Sequence, residues 1–190
     1  LSADLANQLL DRCTQLWNMY GPTETTIWSS IKRISSKDQT ITIGLPINNT
    51  QIHILDEQGQ QLPDESVGEI YIGGDGVAEG YLNRVELTKE KFTHLPGAKF
   101  NGTTFYRTGD LGKKLSNGEF LCLGRIDQQV KIRGHRIELG EIEAVISAQD
   151  GIKQAVVIAR EDQPTDKKLT AYVLLEEKLT EQENLSWKER

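Results

Sequence analysis

The chain has 190 residues, of which 37% are hydrophobic, and a formal net charge of −6. A chain of this length can bury one sizeable core, or one core beside a small second one. Its acidic balance argues against a nucleic-acid partner, because such binding depends on Lys and Arg side chains that neutralise phosphates. No apolar run approaches the ~20 residues that span a bilayer, and the first residues do not resemble a signal sequence. We therefore expect no membrane partner and a cytoplasmic location.

Cysteine and histidine are too few and too scattered to indicate a metal centre or a disulfide framework. Cys13 and Cys122 are far apart, and His53, His94 and His135 are equally separated. Metal sites and disulfide frameworks built from these residues show short, regular spacings. The sequence therefore predicts no metal site built from His or Cys.

The first part of the chain is predicted to form a helix, a short strand and a tight turn. Leucines at helical spacing precede residues 16–20, which have the composition of a buried strand. NMYGPTE covers residues 18–24, where Gly-Pro ends the strand and hydroxyls and a carboxylate begin a new element. On their own these residues are typical of a capped turn, with Thr23 as its N-cap and Tyr20 in the core. Helical patterns at both ends lead us to expect that the chain is part of something longer.

Residues 35–126 are predicted to be rich in β-structure. Short strands separated by turn residues are typical of a small antiparallel barrel or a curled sheet. We predict the strands at 52–55, 67–72, 105–107 and 119–123. A helix is predicted only at Leu87–Phe92, with Thr88 as its cap. The glycine-rich residues 73–80 match neither the dinucleotide-binding nor the P-loop spacing, so we interpret them as a structural loop.

The most distinctive stretch is GRIDQQVKIRGHRIELGEIE at residues 124–143. Its apolar spacing changes from a period of about two to about 3.6, which predicts a strand, a turn at Gly134 and a helix over 141–148. The charge pattern alone is typical of a solvated hairpin and a charged helix face. Beyond it we predict two strands, at 154–159 and 169–175, joined by a charged loop, and a polar helix from Leu179. A helix on a small sheet is an α+β unit.

Four segments together resemble the amino-acid adenylation domains of nonribosomal peptide synthetases, a branch of the adenylate-forming superfamily. They are NMYGPTE (18–24), GEIYIGGDGVAEGYL (68–82), YRTGDL (106–111) and the stretch at 124–143. The family usually has Arg where this chain has Glu79. The resemblance implies a mixed α/β and β-barrel fold. Residues 1–126 would be the C-terminal part of the large subdomain, with the end of an α/β lobe and a small antiparallel β-barrel, and 127–190 a small α+β lid that ends before the catalytic lysine.

The resemblance also implies a nucleotide site. Tyr20 would stack on the adenine, and Asn18 would lie beside the base. Asp110 would accept hydrogen bonds from the ribose hydroxyls, and Arg125 would help to hold the ribose. Alone, Thr-Gly-Asp at 108–110 is a common β-turn, so this assignment depends on the whole YRTGDL motif.

Next to the nucleotide, the resemblance implies a reaction centre and a substrate pocket. Thr23 would bind the α-phosphate, and Glu24 would ligate Mg²⁺, for which a carboxylate oxygen is a suitable ligand. Met19, Ile27 and Trp28 would line the amino-acid pocket. Their bulk leaves little room for a substrate side chain, which favours glycine. Simple strand-core roles for Ile27 and Trp28 remain an alternative.

The lid is implied to swing about a hinge at Asp127, with Gly134 beside the passing pantetheine and Arg136 as a phosphate contact. A nucleic-acid patch formed by the basic residues of this stretch is the alternative, and the nearby glutamates at 138, 141 and 143 oppose it.

The implied function is activation of an amino acid by ATP, with Mg²⁺, to aminoacyl-AMP and pyrophosphate. The acyl group would then pass to the phosphopantetheine thiol of a peptidyl carrier protein. Condensation domains and a small MbtH-like accessory protein are further implied partners. The 190 residues contain neither the phosphate loop nor the Asn-Gly-Lys segment of the family, so alone they are expected to be inactive. An acyl- or aryl-CoA ligase of the same superfamily, or a non-catalytic docking module, are the alternatives.

Overall fold

The computed structural model describes residues 1–36, 38–95, 100, 102–127, 129–132, 135–162 and 167–176. The chain forms two compact units, 1–126 and 127–190. Among the described residues, no helix is long and apolar enough to cross a membrane. Gly134, the loop residues 163–166 and the predicted helix from Leu179 lie outside the described residues.

The first unit opens with the predicted helix and strand. Helix α1 (Ala3–Leu10) is capped by Ser2, whose Oγ accepts a hydrogen bond from the Leu5 N–H at 3.3 Å. Strand β1 (Leu16–Tyr20) pairs antiparallel with β2 (Ser30–Ile34), which pairs in turn with β3 (Leu45–Pro46). The predictions of the helix and of the strand at 16–20 are confirmed.

A five-stranded antiparallel sheet forms most of the first unit. Its order is β4-β5-β7-β6, with β8 pairing to β7. The strands are β4 (Thr50–Leu55), β5 (Gly68–Gly74), β6 (Phe92–His94), β7 (Thr104–Lys114) and β8 (Phe120–Arg125). They contain the predicted strand positions, so a β-rich body is confirmed, whereas a closed barrel stays a prediction.

Both faces of this sheet are buried. Ile52, Ile54, Ile70 and Ile72 pack with Phe120 in one core cluster. The other cluster lies on the opposite face and contains Leu55, Tyr71, Leu95, Phe100 and Phe105. Strand β5 supplies side chains to both, and for this reason Ile70, Tyr71 and Ile72 are consecutive apolar residues without polar alternation.

Helix α2 (Val85–Lys91) begins earlier than predicted, and the predicted cap is wrong. Arg84 is at the N-cap position and makes no capping hydrogen bond with its side chain. Thr88 lies inside the helix, and its Oγ1 accepts a hydrogen bond from the Tyr81 N–H at 2.9 Å. The hydroxyl therefore fixes the preceding loop instead of starting the helix.

The second unit contains two hairpins and a helix. Strands β9 (Val130–Ile132) and β10 (His135–Ile137) are antiparallel, and α3 (Leu139–Ser147) follows them. Strands β11 (Ile152–Glu161) and β12 (Lys167–Leu175) form the second hairpin. The predictions of a helix and two further strands are confirmed. Strand β10 was not predicted, because three residues with only one apolar side chain give no periodic signal.

Candidate functional site

Three of the predicted nucleotide-binding side chains meet where β1 approaches β7 and β8. The Tyr20 hydroxyl donates a hydrogen bond to Asp110 Oδ2 at 2.5 Å, although the two residues are 90 positions apart. Arg125 Nη1 donates to Asp110 Oδ1 at 3.1 Å and to the Thr108 carbonyl oxygen at 2.7 Å. The Asp110 carboxylate is thus held by a cation on one oxygen and by a hydroxyl on the other.

The electrostatics of this cluster keep the phenol protonated. Burial, followed by the nearby Asp110 carboxylate, raises the pKa of Tyr20 well above its ordinary value. The Asp110 side chain is only 15% exposed. A carboxylate that is fixed in this way is a preorganised acceptor for hydroxyl donors, because charge-assisted hydrogen bonds are stronger than neutral ones.

Glu69 supports the chain segment that carries Asp110. Its Oε2 accepts a hydrogen bond from Arg107 Nε at 2.8 Å, and its Oε1 accepts one from the Gly109 N–H at 3.0 Å. The Glu69 side chain is 9% exposed, whereas that of Arg107 is 43% exposed. This hydrogen bond raises the pKa of Arg107. Glu69 was not among the site residues predicted from the sequence, although a carboxylate inside the run Val67–Ile72 was an available signal.

Thr108 adds a second support. Its Oγ1 donates to the Ile70 carbonyl oxygen at 2.8 Å and accepts from the Asp110 N–H at 3.0 Å. The residues Thr108–Asp110 lie inside strand β7, where the register shifts against β5. The interpretation of Thr-Gly-Asp as a simple β-turn is therefore wrong.

A 3₁₀ turn at Thr23–Thr25 follows β1. Pro22 is at its N-cap position, without a side-chain hydrogen bond. The interpretation of Thr23 as the N-cap is therefore wrong. Gly21 allows this tight path, because a Cβ there would lie 2.6 Å from the Ile27 carbonyl oxygen.

The residues after this turn have an uncommon backbone conformation. Thr26 and Ile27 have φ values of 60° and 72°, in the left-handed region that β-branched residues rarely adopt. The Thr26 Oγ1 donates to the Gly76 carbonyl oxygen at 2.7 Å, which helps to hold this conformation. Backbone strain of this kind is concentrated at functional sites in proteins.

Glu24 is held by the loop that follows β5. The Tyr81 hydroxyl donates to Glu24 Oε1 at 2.6 Å, and the Ala78 N–H donates to the Glu24 carbonyl oxygen at 2.9 Å. In the part of the chain that the structure describes, no three His, Cys, Asp or Glu side chains cluster to form a protein-only metal site. Mg²⁺ is commonly bound by one or two carboxylates together with substrate phosphates. A single carboxylate in this position is therefore compatible with Mg²⁺.

The predicted pocket residues lie on the surface of the described chain. Met19, Ile27 and Trp28 are 43%, 66% and 54% exposed. Because β2 begins only at Ser30, the strand-core alternative for Ile27 and Trp28 is wrong.

Asn18 lies two residues before Tyr20 on β1, so the two side chains share a face of the strand. Its Nδ2 donates to the Thr42 carbonyl oxygen at 2.7 Å. This bond fixes the amide orientation and leaves Asn18 outside the hydrogen-bonded Tyr20 cluster.

The predicted hinge and lid residues are linked by a glutamine that the sequence analysis missed. The Gln129 N–H donates to Asp127 Oδ1 at 3.1 Å, and Arg136 Nε donates to Gln129 Oε1 at 2.6 Å. The Gln129 amide also donates to Glu138. Gln129 is only 7% exposed. Gln129 lies directly before β9, and no sequence pattern indicated its role. Its partners are brought together only by the fold of the hairpin.

A cleft of about 610 Å³ lies elsewhere in the first unit, between the start of β4 and the loop after β5. Its lining includes Asn49, Asp75, Glu79 and Thr103. None of the predicted site residues lines it. We therefore do not interpret this cleft as the nucleotide site.

Comparisons with known proteins agree with the motifs. Residues 1–82 match the family described as AMP-binding enzyme. Tyrocidine synthase 1 of Brevibacillus parabrevis is 50% identical over 182 residues, which are 94% of this chain and 16% of that protein. A crystal structure of a holo four-domain nonribosomal peptide synthetase bound to AMP and glycine is 48% identical, with a TM-score of 0.64, over 93% of this chain and 13% of that one.

Another solved structure gives a higher structural similarity. It is the structure of a holo nonribosomal peptide synthetase protein that contains adenylation and PCP domains and is bound to a vinylsulfonamide inhibitor. The identity is 31% and the TM-score is 0.82, over 99% of this chain and 34% of that one. The chain thus spans a minor part of each of these proteins.

The match over the first 82 residues identifies the class as AMP-binding, adenylate-forming enzymes. Within it, the chain belongs to the family of nonribosomal peptide synthetase adenylation domains. The resemblance drawn from the four motifs is confirmed, as is a mixed α/β fold in general terms.

Proposed function

We propose that this chain acts within a longer adenylation domain that activates an amino acid with ATP. The amino-acid carboxylate would attack the α-phosphorus, forming a new phosphorus–oxygen bond as the bond to pyrophosphate breaks. The observation that carries the proposal is the cluster of Tyr20, Asp110 and Arg125. These side chains come from separate motifs, and the fold brings them together as a nucleotide site would require.

In this proposal each side chain of the cluster contributes to nucleotide binding. The Tyr20 ring stacks on the adenine, while its hydroxyl fixes Asp110. Asp110 accepts hydrogen bonds from the ribose hydroxyls, and Arg125 holds the carboxylate and helps to hold the ribose. Asn18 lies beside the base, in the orientation fixed by Thr42. Catalysis is then mainly a matter of positioning the α-phosphate for in-line attack.

The turn after β1 would lie at the phosphates. Thr23 would donate a hydrogen bond to the α-phosphate, and Glu24 would ligate Mg²⁺. The bound ion would offset negative charge on the phosphates. The backbone of this turn would also fix the positions of the Thr23 and Glu24 side chains relative to Tyr20.

Residues 127–190 are proposed to form the lid, with Asp127 as the hinge and Arg136 as a phosphate contact. Hinges of this kind absorb a large rotation in a few backbone torsions. Gly134 would let the pantetheine arm of a carrier protein pass.

We propose that the phosphate loop and the catalytic lysine are supplied by the longer protein. The acyl group would leave AMP and form a thioester with the carrier's phosphopantetheine thiol.

We propose glycine as the amino acid. Two considerations support it: the bulk of Met19, Ile27 and Trp28, and the 48% identity to a synthetase solved with AMP and glycine. Large side chains around the substrate's Cα would reject any side chain beyond hydrogen.

Replacing Trp28 with alanine is expected to raise the relative activity toward alanine at least about tenfold, because one methylene in an apolar pocket changes the transition-state energy by about 1–3 kcal/mol. The measurement is the ratio of kcat/KM for alanine and glycine in the complete protein. Trp17→Ala is the control, since Trp17 is a similarly exposed tryptophan on β1 that has no proposed pocket role. An unchanged preference in Trp28→Ala would exclude the pocket assignment.

The proposed function is tested by amino-acid-dependent ATP–pyrophosphate exchange with the complete protein that carries these residues. Exchange led by glycine is the expected result. Exchange led by a larger amino acid would keep the reaction and reject the pocket assignment. Absence of exchange with any amino acid, together with activity on a carboxylic acid and CoA, would assign the protein to the acyl- or aryl-CoA ligases instead.

A further inference from the structure

The loop after β5, residues 75–84, has so far only a structural interpretation, yet it makes two hydrogen bonds to one site residue. The Tyr81 hydroxyl lies 2.6 Å from Glu24 Oε1, across 57 positions of sequence. The Ala78 N–H binds the Glu24 carbonyl oxygen at 2.9 Å. This loop therefore fixes both the backbone and the carboxylate of Glu24.

Tyr81 is itself well anchored. Its N–H donates to Thr88 Oγ1 at 2.9 Å, and its ring makes an edge contact with Phe92 at a centroid distance of 5.4 Å. Its hydroxyl is 3.4 Å from that of Tyr106, which is fully buried. Gly80 permits this close approach, because a Cβ there would lie 2.3 Å from Thr88 Cγ2. The position of the Tyr81 hydroxyl is thus set by the aromatic core and helix α2.

The Tyr81 hydroxyl is the donor in this contact, because an ionised Glu24 carboxylate can only accept hydrogen bonds. A carboxylate has two oxygens, and a donor fixed to one of them limits the rotation of the whole group. The side chain of Glu24 therefore loses less conformational entropy when its carboxylate binds a cation.

We propose that Tyr81 is a positioning residue for the cation site at Glu24, orienting this carboxylate toward a Mg²⁺–nucleotide complex. The proposal rests on the role proposed for Glu24. Tyr81 touches neither the substrate nor the reacting atoms, and it acts through Glu24. Loss of the Tyr81 hydroxyl should therefore change the affinity of the site for the metal and leave its affinity for the nucleoside unchanged.

The test uses the complete protein with Tyr81→Phe, which retains the ring packing and removes the hydroxyl. Mn²⁺ is titrated in the presence of the non-hydrolysable ATP analogue AMPCPP and followed by electron paramagnetic resonance. We expect the apparent Kd of Mn²⁺ to rise about fivefold or more, since a hydrogen bond to a charged group is lost from the site. Binding of AMP without metal, measured by calorimetry, should change less than about twofold.

Tyr71→Phe is the control, because it removes the hydroxyl of a buried tyrosine on β5, the strand that precedes this loop, and Mn²⁺ affinity should be unchanged. Mn²⁺ affinity of Tyr81→Phe equal to that of the unsubstituted protein would overturn the proposal. Weaker binding of both Mn²⁺ and AMP would also overturn it in favour of a structural role. Glu24→Gln separates the two hypotheses: unchanged Mn²⁺ affinity in that variant would remove Glu24 from the metal site.

Discussion

Replacing Asp110 with alanine is expected to weaken ATP binding about 10- to 150-fold, because hydrogen bonds to a charged group contribute about 1.5–3 kcal/mol. The effect follows from geometry as well as charge. Arg125 holds one carboxylate oxygen and Tyr20 holds the other, so the acceptor is fixed before a ligand arrives. The measurement is the ATP dependence of pyrophosphate exchange at saturating amino acid, together with calorimetric titration of AMP.

Two further variants make this result specific. Asp110→Asn keeps one acceptor oxygen and directs an amide donor at one of the two existing donors, so an intermediate loss is expected. Asp64→Ala removes an exposed carboxylate that is paired with Lys114 at 3.1 Å, and it should leave ATP binding unchanged. ATP dependence in Asp110→Ala that matches that of Asp64→Ala would contradict the ribose assignment.

Much of the local structure followed from the sequence, because hydrophobic spacing and turn residues are local signals. Strand β1 ends at Tyr20, immediately before Gly-Pro, as predicted. Helix α1 also formed where leucines repeat at helical spacing. The Tyr20–Asp110–Arg125 cluster could be predicted from the sequence only through the motif resemblance. Residue spacing alone does not indicate that residues 20 and 110 are in contact.

Other features had no usable signal. Thr26 and Ile27 are β-branched residues with high strand propensity, which favoured the strand-core alternative for Ile27 and Trp28. The structure instead gives Thr26 and Ile27 positive φ and starts β2 at Ser30. Here the tertiary hydrogen bond of Thr26 to Gly76 overrides local preference. Propensity is a weak prior wherever a distant contact decides the backbone conformation.

The supporting side chains were missed for a related reason. Glu69, Tyr81 and Gln129 act on the proposed site residues through contacts that the fold creates, and two of these contacts span 40 and 57 positions. A glutamate inside an apolar run could be detected as unusual, but its partners could not be named. Proposed ligand-binding residues thus emerged from motifs, whereas their supports emerged only from the three-dimensional structure.

Glu69→Ala is expected to reduce the local stability of β7 by about 2–4 kcal/mol, because it leaves the Gly109 N–H without its acceptor and removes a charge-assisted bond to Arg107. Asp110 is next to Gly109, so ATP affinity should fall as well, by about tenfold, as its carboxylate loses a fixed position. Hydrogen–deuterium exchange of peptides covering residues 104–114 measures the first effect, and pyrophosphate exchange measures the second.

Glu65→Ala is an unusually close control for Glu69→Ala. Glu65 also accepts hydrogen bonds from one cation, Lys113 at 2.8 Å, and one backbone N–H, that of Ser116 at 2.9 Å. Its side chain, however, is 48% exposed, whereas that of Glu69 is 9% exposed. Water can replace the bonds of Glu65, so its loss should destabilise the protein much less than the loss of Glu69. Equal destabilisation by the two substitutions would contradict the argument, since burial is the property that distinguishes the two glutamates and that makes the Asp110 support depend on Glu69.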